Sequence, residues 1–201
     1  MREAGVGRVL AASIHQGIAD ILPMRLAFYE NWLNAAGLRE GSIGLGPLYA
    51  VLSFLRQEGE PYYGITTRAG EYAAEWTVES MAPMLRGAIK AAPAWLRQRL
   101  LLRLAGQLVR DSCRRSRIVA KVRRGTARLD LRDSVFCSVR EPVGRPLCGF
   151  YAAAFTRLLT LFNLSTRAEV IACRGTGEPA CVLSIALSNG VPQADRGAGA
   201  A

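Results

Sequence analysis

Histidine occurs once in the 201 residues, as His15. A Ser-His-Asp or Cys-His catalytic arrangement would have to run through that one side chain. It stands beside Gln16 and Gly17 in a helical pattern and reads as a surface or packed residue. Lysine is nearly missing too: only Lys90 and Lys121 interrupt an otherwise arginine-only set of 26 basic residues. No HExxH, Walker A or EF-hand pattern occurs, which removes the commonest zinc-protease, phosphate-loop and calcium readings. No uninterrupted apolar run reaches the roughly 18–20 residues that a membrane-spanning helix needs. The opening MREAGVGRVLAASIHQG has one arginine before a short apolar patch, which His15 and Gln16 interrupt. It offers neither the h-region nor the cleavage site of a signal peptide. The expectation is a soluble, cytoplasmic protein.

What is present describes one globular domain. Half of the residues are hydrophobic and 21% are charged, and a chain of this size buries roughly 70% of the surface its unfolded form exposes. The domain is expected over 1–190, with the small polar tail 191–201 disordered. The net charge of +10 is unevenly placed. Residues 86–128 hold thirteen basic side chains and one acid, Asp111, a local +12, so the remainder sums to −2. Such a block suits an acidic partner, an anionic surface or nucleic acid, or is simply a solvated face. It shows no interleaved aromatics and no reading motif, so specific nucleic-acid recognition is not expected. Cys113, Cys137, Cys148, Cys173 and Cys181 are read as thiols or metal ligands rather than disulfides, as suits a reducing compartment.

The N-terminal two-thirds carries helical periodicity. Residues 8–21 place Val9, Ile14, Ile18 and Ile21 roughly on one face, and Pro23 ends the segment. A second helix covers 24–36, with Gly37 in the C-cap position. After the loop GSIGLG at 41–46, Pro47 opens a third helix that Gly59 closes. A fourth runs from Ala69 to Ile89 and should kink or split at Pro83. The fifth, from Pro93 to Arg110, sets Trp95, Leu96, Leu100, Leu101, Leu104 and Leu108 against an arginine face. At Arg117 the period changes to two: Ile118, Ala120 and Val122, a turn at Arg124–Gly125, then Leu129 and Leu131 predict a β-hairpin. Ser134–Arg140 reads as a third strand, residues 147–162 as a helix after Pro146, and 168–173 and 180–187 as two more strands. The fold class is α+β: an N-terminal helical layer packed on a twisted antiparallel sheet, closing with a β-β-β-α-β-β unit.

Two fragments imitate a dinucleotide fingerprint. Gly5-x-Gly7 lacks its third small residue and the preceding strand, and Gly175-x-Gly177-x-x-Ala180 leads through Pro179 into a strand rather than a helix. No NAD(P), flavin or iron–sulfur motif is found.

The informative stretch is Asp133–Leu187. It holds Pro146-x-Cys148 and Phe150 at a helix start, a Gly/Ala-rich helix, then Glu169, Cys173, the turn glycines Gly175 and Gly177, and Cys181. This combination resembles the 4-vinyl-reductase (4VR) domain family. The resemblance implies a fold like that of vesicle-tethering TRAPP subunits, usually homodimeric. Relatives of this kind are sensors of small aromatic hydrocarbons or accessory proteins of tetrapyrrole and bacteriochlorophyll synthesis. In the sensor branch three cysteines and a glutamate hold zinc, which carries over to Cys148, Cys173, Cys181 and Glu169, with Cys137 as the alternative fourth ligand. Three thiolates and a carboxylate suit tetrahedral Zn²⁺; buried structural thiols are the competing reading. The resemblance also points to Tyr72, Trp76, Phe150, Tyr151 and Phe155 as lining for an apolar ligand, although aromatics at helical spacing also simply build cores.

Three functions stay open on this reading. One is a binding module, carrier or sensor for an apolar, aromatic or tetrapyrrole-like small molecule. Another is a vinyl reductase of tetrapyrrole synthesis, which would need a hydride or electron source that no motif here supplies. The last is a basic protein that docks on nucleic acid or an anionic membrane.

Overall fold

The computed structural model describes residues 6–33 and 44–187. The C-cap glycine expected at 37, most of the 41–46 loop and the 191–201 tail lie outside them. Helix α1 spans Arg8–Ile21 and buries Leu10, Ala11, Ile14 and Ile18. A 3₁₀ turn at Pro23–Arg25 follows, then α2 at Leu26–Leu33 and α3 at Leu45–Gln57. Gly59, at φ +75°, turns the chain into α4, Glu60–Glu79. The split expected at Pro83 is complete: Ala82 is extended before the proline, as its ring requires, and α5 is a separate helix, Pro83–Ala91. The amphipathic helix α6 runs Ala94–Ser112 and α7 runs Gly149–Leu161. None of the described helices is long and apolar enough to cross a membrane.

The sheet has four antiparallel strands: β1 Arg117–Arg123, β2 Thr126–Arg132, β3 Ala168–Ala172 and β4 Cys181–Ala186. Their spatial order is β1-β2-β4-β3. Arg124 and Gly125 both have positive φ, at 47° and 76°, so the hairpin closes through a two-residue turn of the type that matches strand twist. Ala127, Leu129 and Leu131 of β2 lie opposite Ile185, Leu183 and Cys181 of β4 and form the buried face. The α+β class and the antiparallel sheet are as expected, but Ser134–Arg140 is not a strand. Asp133 adopts φ +54° and the chain makes a single 3₁₀ turn, Val135–Cys137. Both edges of β2 are already taken, by β1 and β4, so the next segment has no adjacent edge to pair with.

Helix α4 is the hub, packed on α1 along one side and on α7 along the other. Both approaches are backbone-close. A Cβ on Gly17 of α1 would lie 2.8 Å from the Ile65 carbonyl oxygen, and one on Gly70 of α4 would lie 2.2 Å from that of Phe150. Gly70→Ala should therefore cost about 1–3 kcal/mol through overpacking. Gly87→Ala in α5, whose Cβ meets nothing within 4 Å, should add about 0.5–1 kcal/mol through helix propensity. Urea denaturation of the two variants beside the wild type measures both signs.

Candidate metal centre

Four cysteine sulfurs converge where three segments of the chain meet. The 3₁₀ turn after β2 presents Cys137, the N-cap of α7 presents Cys148, and the β3–β4 connection presents Cys173 and Cys181 at its two ends. All four Sγ atoms lie within 4.8 Å of one another. Cys137 is 3.1 Å from Cys148 and 3.4 Å from both Cys173 and Cys181, and Cys148 is 3.7 Å from Cys173. Four thiolates at about 2.3 Å from one tetrahedral ion stand about 3.8 Å apart, so this set fits a single small cation. Cys148, Cys173 and Cys181 are buried and Cys137 half-buried.

The surroundings favour thiolates at two of the positions. The backbone N–H of Leu147 donates to Cys173 Sγ at 3.3 Å, and that of Arg174 donates to Cys181 Sγ at 3.4 Å. Hydrogen bonds from Cys137 and Cys148 hold the Cys173 and Cys181 thiols below their ordinary value, while Cys148 is pushed up by its bonds to Cys137, Cys173 and Cys181. A polar cleft of about 380 Å³ opens beside Cys137, lined by Tyr49, Arg115, Asp133 and Arg174 among others. Its two arginines offset the negative charge that several thiolates bring. Nothing in the linear sequence marks Tyr49 or Arg115 as neighbours of Cys137; folding alone brings them there.

Glu169 stands apart from this group. It is exposed on β3 opposite Ser184. Counting by twos places it on the same face as Cys173, but a bulge between Val170 and Ala172 inserts one residue and reverses the alternation. Glu169 then points outward while Cys173 points in. Cys113 is buried elsewhere, in an isolated bridge with Val6.

The five aromatic candidates fall into two groups. Tyr72 and Trp76 are half-buried on α4, their rings stacked at 5.4 Å, and the Tyr72 hydroxyl donates to Asp20 Oδ2 of α1 at 2.7 Å. That hydrogen bond, followed by one from Gln16 and then those from Arg68, holds the Asp20 carboxyl below its ordinary value. Phe150, Tyr151 and Phe155 are fully buried on α7 and pack with Phe136, which stacks on Phe150 at 5.0 Å and meets Tyr151 edge-on at 5.5 Å. The Tyr151 hydroxyl is sealed in this cluster without a hydrogen-bond partner, and burial pushes it up. The largest cavity lies elsewhere. It is a groove of about 780 Å³ between α5, α6 and β1, floored by residues such as Met81, Ile89, Leu100, Leu104 and Ile118. None of the five aromatics lines it.

Residues 128–187 match the family model of the vinyl-4-reductase (4VR) domain, the segment on which the resemblance rests, and that resemblance therefore holds. No curated protein matches the sequence significantly. Among solved structures the chain is similar to the phenol-responsive sensory domain of the transcription activator PoxR, crystallised with phenol. The two are 15% identical with a TM-score of 0.52, over 71% of this chain and 74% of that one. At that identity the likeness is one of fold.

The geometry decides between the two candidates for a fourth ligand. Titrated with cobalt(II), the protein should show thiolate-to-metal absorption that weakens in Cys137→Ser and stays unchanged in Glu169→Gln and Cys113→Ser. A spectrum that shifts in Glu169→Gln would place the carboxylate in the ion's coordination sphere instead.

Proposed function

We propose that this protein, with its 4VR domain, is a small-molecule-binding module, a carrier or sensor for an apolar ligand of aromatic or tetrapyrrole-like class, stapled by one zinc ion. The observation that carries the reading is the convergence of four cysteine sulfurs inside or beside the matched segment. Cys137, Cys148, Cys173 and Cys181 supply an all-sulfur donor set, which selects a borderline-soft tetrahedral ion over hard cations. The amides of Leu147 and Arg174 orient two of the sulfurs by donating to them. The ion's part is structural: it ties the turn after β2 and the start of α7 to the β3–β4 connection.

The ligand's seat on this reading is the apolar groove between α5, α6 and β1, whose volume of about 780 Å³ falls within the roughly 300–1,000 Å³ of small-molecule sites. The likeness to a domain crystallised with phenol supports an aromatic ligand. The aromatic cluster on α7 serves as packing behind the metal centre, since its rings are in contact with one another. A homodimer belongs to the same proposal.

Native mass spectrometry of chelator-free protein tests metal, adduct and subunit number together. The expected result is about one zinc per chain in a dimer. Well under half an equivalent of zinc overturns the metal reading, and a monomer overturns the dimer. Chelation should lower the melting temperature, because metal binding to the folded chain is folding free energy. Aromatic compounds or porphyrins should raise it, by about 2.7 kcal/mol of added stability at a hundredfold excess over the dissociation constant. Leu104→Arg, which puts a charge into the groove, should abolish that shift while leaving the zinc content unchanged. A broad screen without any shift would leave a purely structural domain.

A further inference from the structure

The open face of the sheet carries a charge pattern that neither the metal centre nor a ligand in the apolar groove explains. On β1 the outward positions are Arg117, Val119, Lys121 and Arg123, and on β2 they are Thr126, Arg128, Asp130 and Arg132. The register sets like charges directly opposite one another twice, Arg117 against Arg132 and Lys121 against Arg128. Such pairs destabilise a hairpin, whereas opposite charges in the same places would support it. Asp130 is the one acid on the two strands and reaches only Arg132, at 4.0 Å. Lys121, Arg123, Arg124 and Arg128 have no ion-pair partner among the described residues. The arrangement is costly for the fold standing alone.

Edge protection accounts for part of it, since lysine and arginine on an edge strand discourage pairing with another chain. It accounts for β1 only. Arg128 and Arg132 sit on β2, an interior strand flanked by β1 and β4, where no edge needs guarding. The face is also hollow: a depression of about 550 Å³ runs over β1, β2 and β4, and Lys121, Arg123 and Arg128 stand around it.

We propose that this face binds the phosphate backbone of nucleic acid without regard to sequence. Arginine's planar fork suits phosphate oxygens, and the depression admits a rounded polyanion. Aromatic side chains on which bases could stack are missing from the eight outward positions of β1 and β2, so contacts stop at phosphate and sugar. A flat anionic bilayer fits less well. Membrane-surface sites combine basic groups with aromatic or leucine anchors, and the exposed Met84, Leu85 and Trp95 sit on α5 and α6, on the helical side of the sheet.

The test uses the full chain, a short DNA duplex of random sequence, and phosphatidylcholine vesicles with and without phosphatidylserine. Duplex binding should be detectable at low salt. It should weaken on a log–log plot against salt with a slope of about −0.9 per phosphate neutralised, or about −3.5 to −4.5 for four to five contacts. Arg128→Glu should weaken duplex binding about fivefold to tenfold and flatten the slope by about one unit. The same change turns a like-charged pair into an ion pair, so its melting temperature should stay level or rise. Lys121→Glu, on the other strand of that pair, should repeat both effects. Lys90→Glu on α5 should leave duplex affinity as it was. The proposal is overturned if Arg128→Glu and Lys121→Glu bind duplex like the wild type, if they melt earlier and so reveal a structural role, or if the protein takes up phosphatidylserine vesicles and ignores the duplex.

Discussion

The convergence of four cysteine sulfurs within 4.8 Å constrains the whole C-terminal half of the chain. Three segments far apart in sequence must end at one point, and each is bent to reach it. Asp133 takes a left-handed conformation so that the chain leaves β2 inward rather than onward. Cys148 stands as the N-cap of α7, which fixes where that helix begins. Cys173 and Cys181 face each other across a connection that closes through Gly177 at φ +91°. Because α7 starts at this knot and packs along α4 through Gly70, the position of the sulfurs propagates into the helical layer.

Packing outward from that point is dense. Phe136, Phe150, Tyr151 and Phe155 fill the space behind the sulfurs with mutually stacked and edge-on rings, an arrangement worth more than its buried area alone. Open volume is found at the periphery instead, in the apolar groove under α5 and in the polar cleft beside Cys137. The two spaces differ in kind, and the difference follows from their walls. The groove lies between helices that turn leucines toward β1, whereas the cleft collects the polar loops around the 3₁₀ turn.

The arginines likewise divide by what they touch. Arg97 donates to the Phe162 carbonyl at 3.1 Å, and its charge favours the C-terminal end of α7. Arg157 binds Glu75 across the α4–α7 interface at 2.7 Å. Arg68 joins Asp20 and Glu71 and lies over the Tyr72 ring. Arg117 donates to the Arg114 and Ser116 carbonyls as well as facing outward. What the sequence shows as one basic block is therefore several structural cations and a remainder gathered on the sheet face.

Local physics made much of the molecule legible before folding. Pro23 and Pro83 mark helix limits because proline cannot continue a hydrogen-bonded turn, and Arg124–Gly125 marks a hairpin because two positive φ values suit that pair. Cys148, Cys173 and Cys181 stood out through their spacing. Tertiary structure alone settled the rest. Ser134–Arg140 alternates like a strand, yet β2 had no free edge to offer it. Glu169 counts onto the Cys173 face, yet one bulged residue in β3 turns it to solvent and leaves Cys137 as the fourth sulfur. Tyr72 and Trp76 belong by sequence with the α7 aromatics, yet they face α1. In each case the deciding quantity is a long-range one: which edge is free, how many residues oppose one another across a ladder, and which side of a helix its neighbours cover. Periodicity along the chain carries none of these, because it reports only how a segment would bury itself if a partner were there.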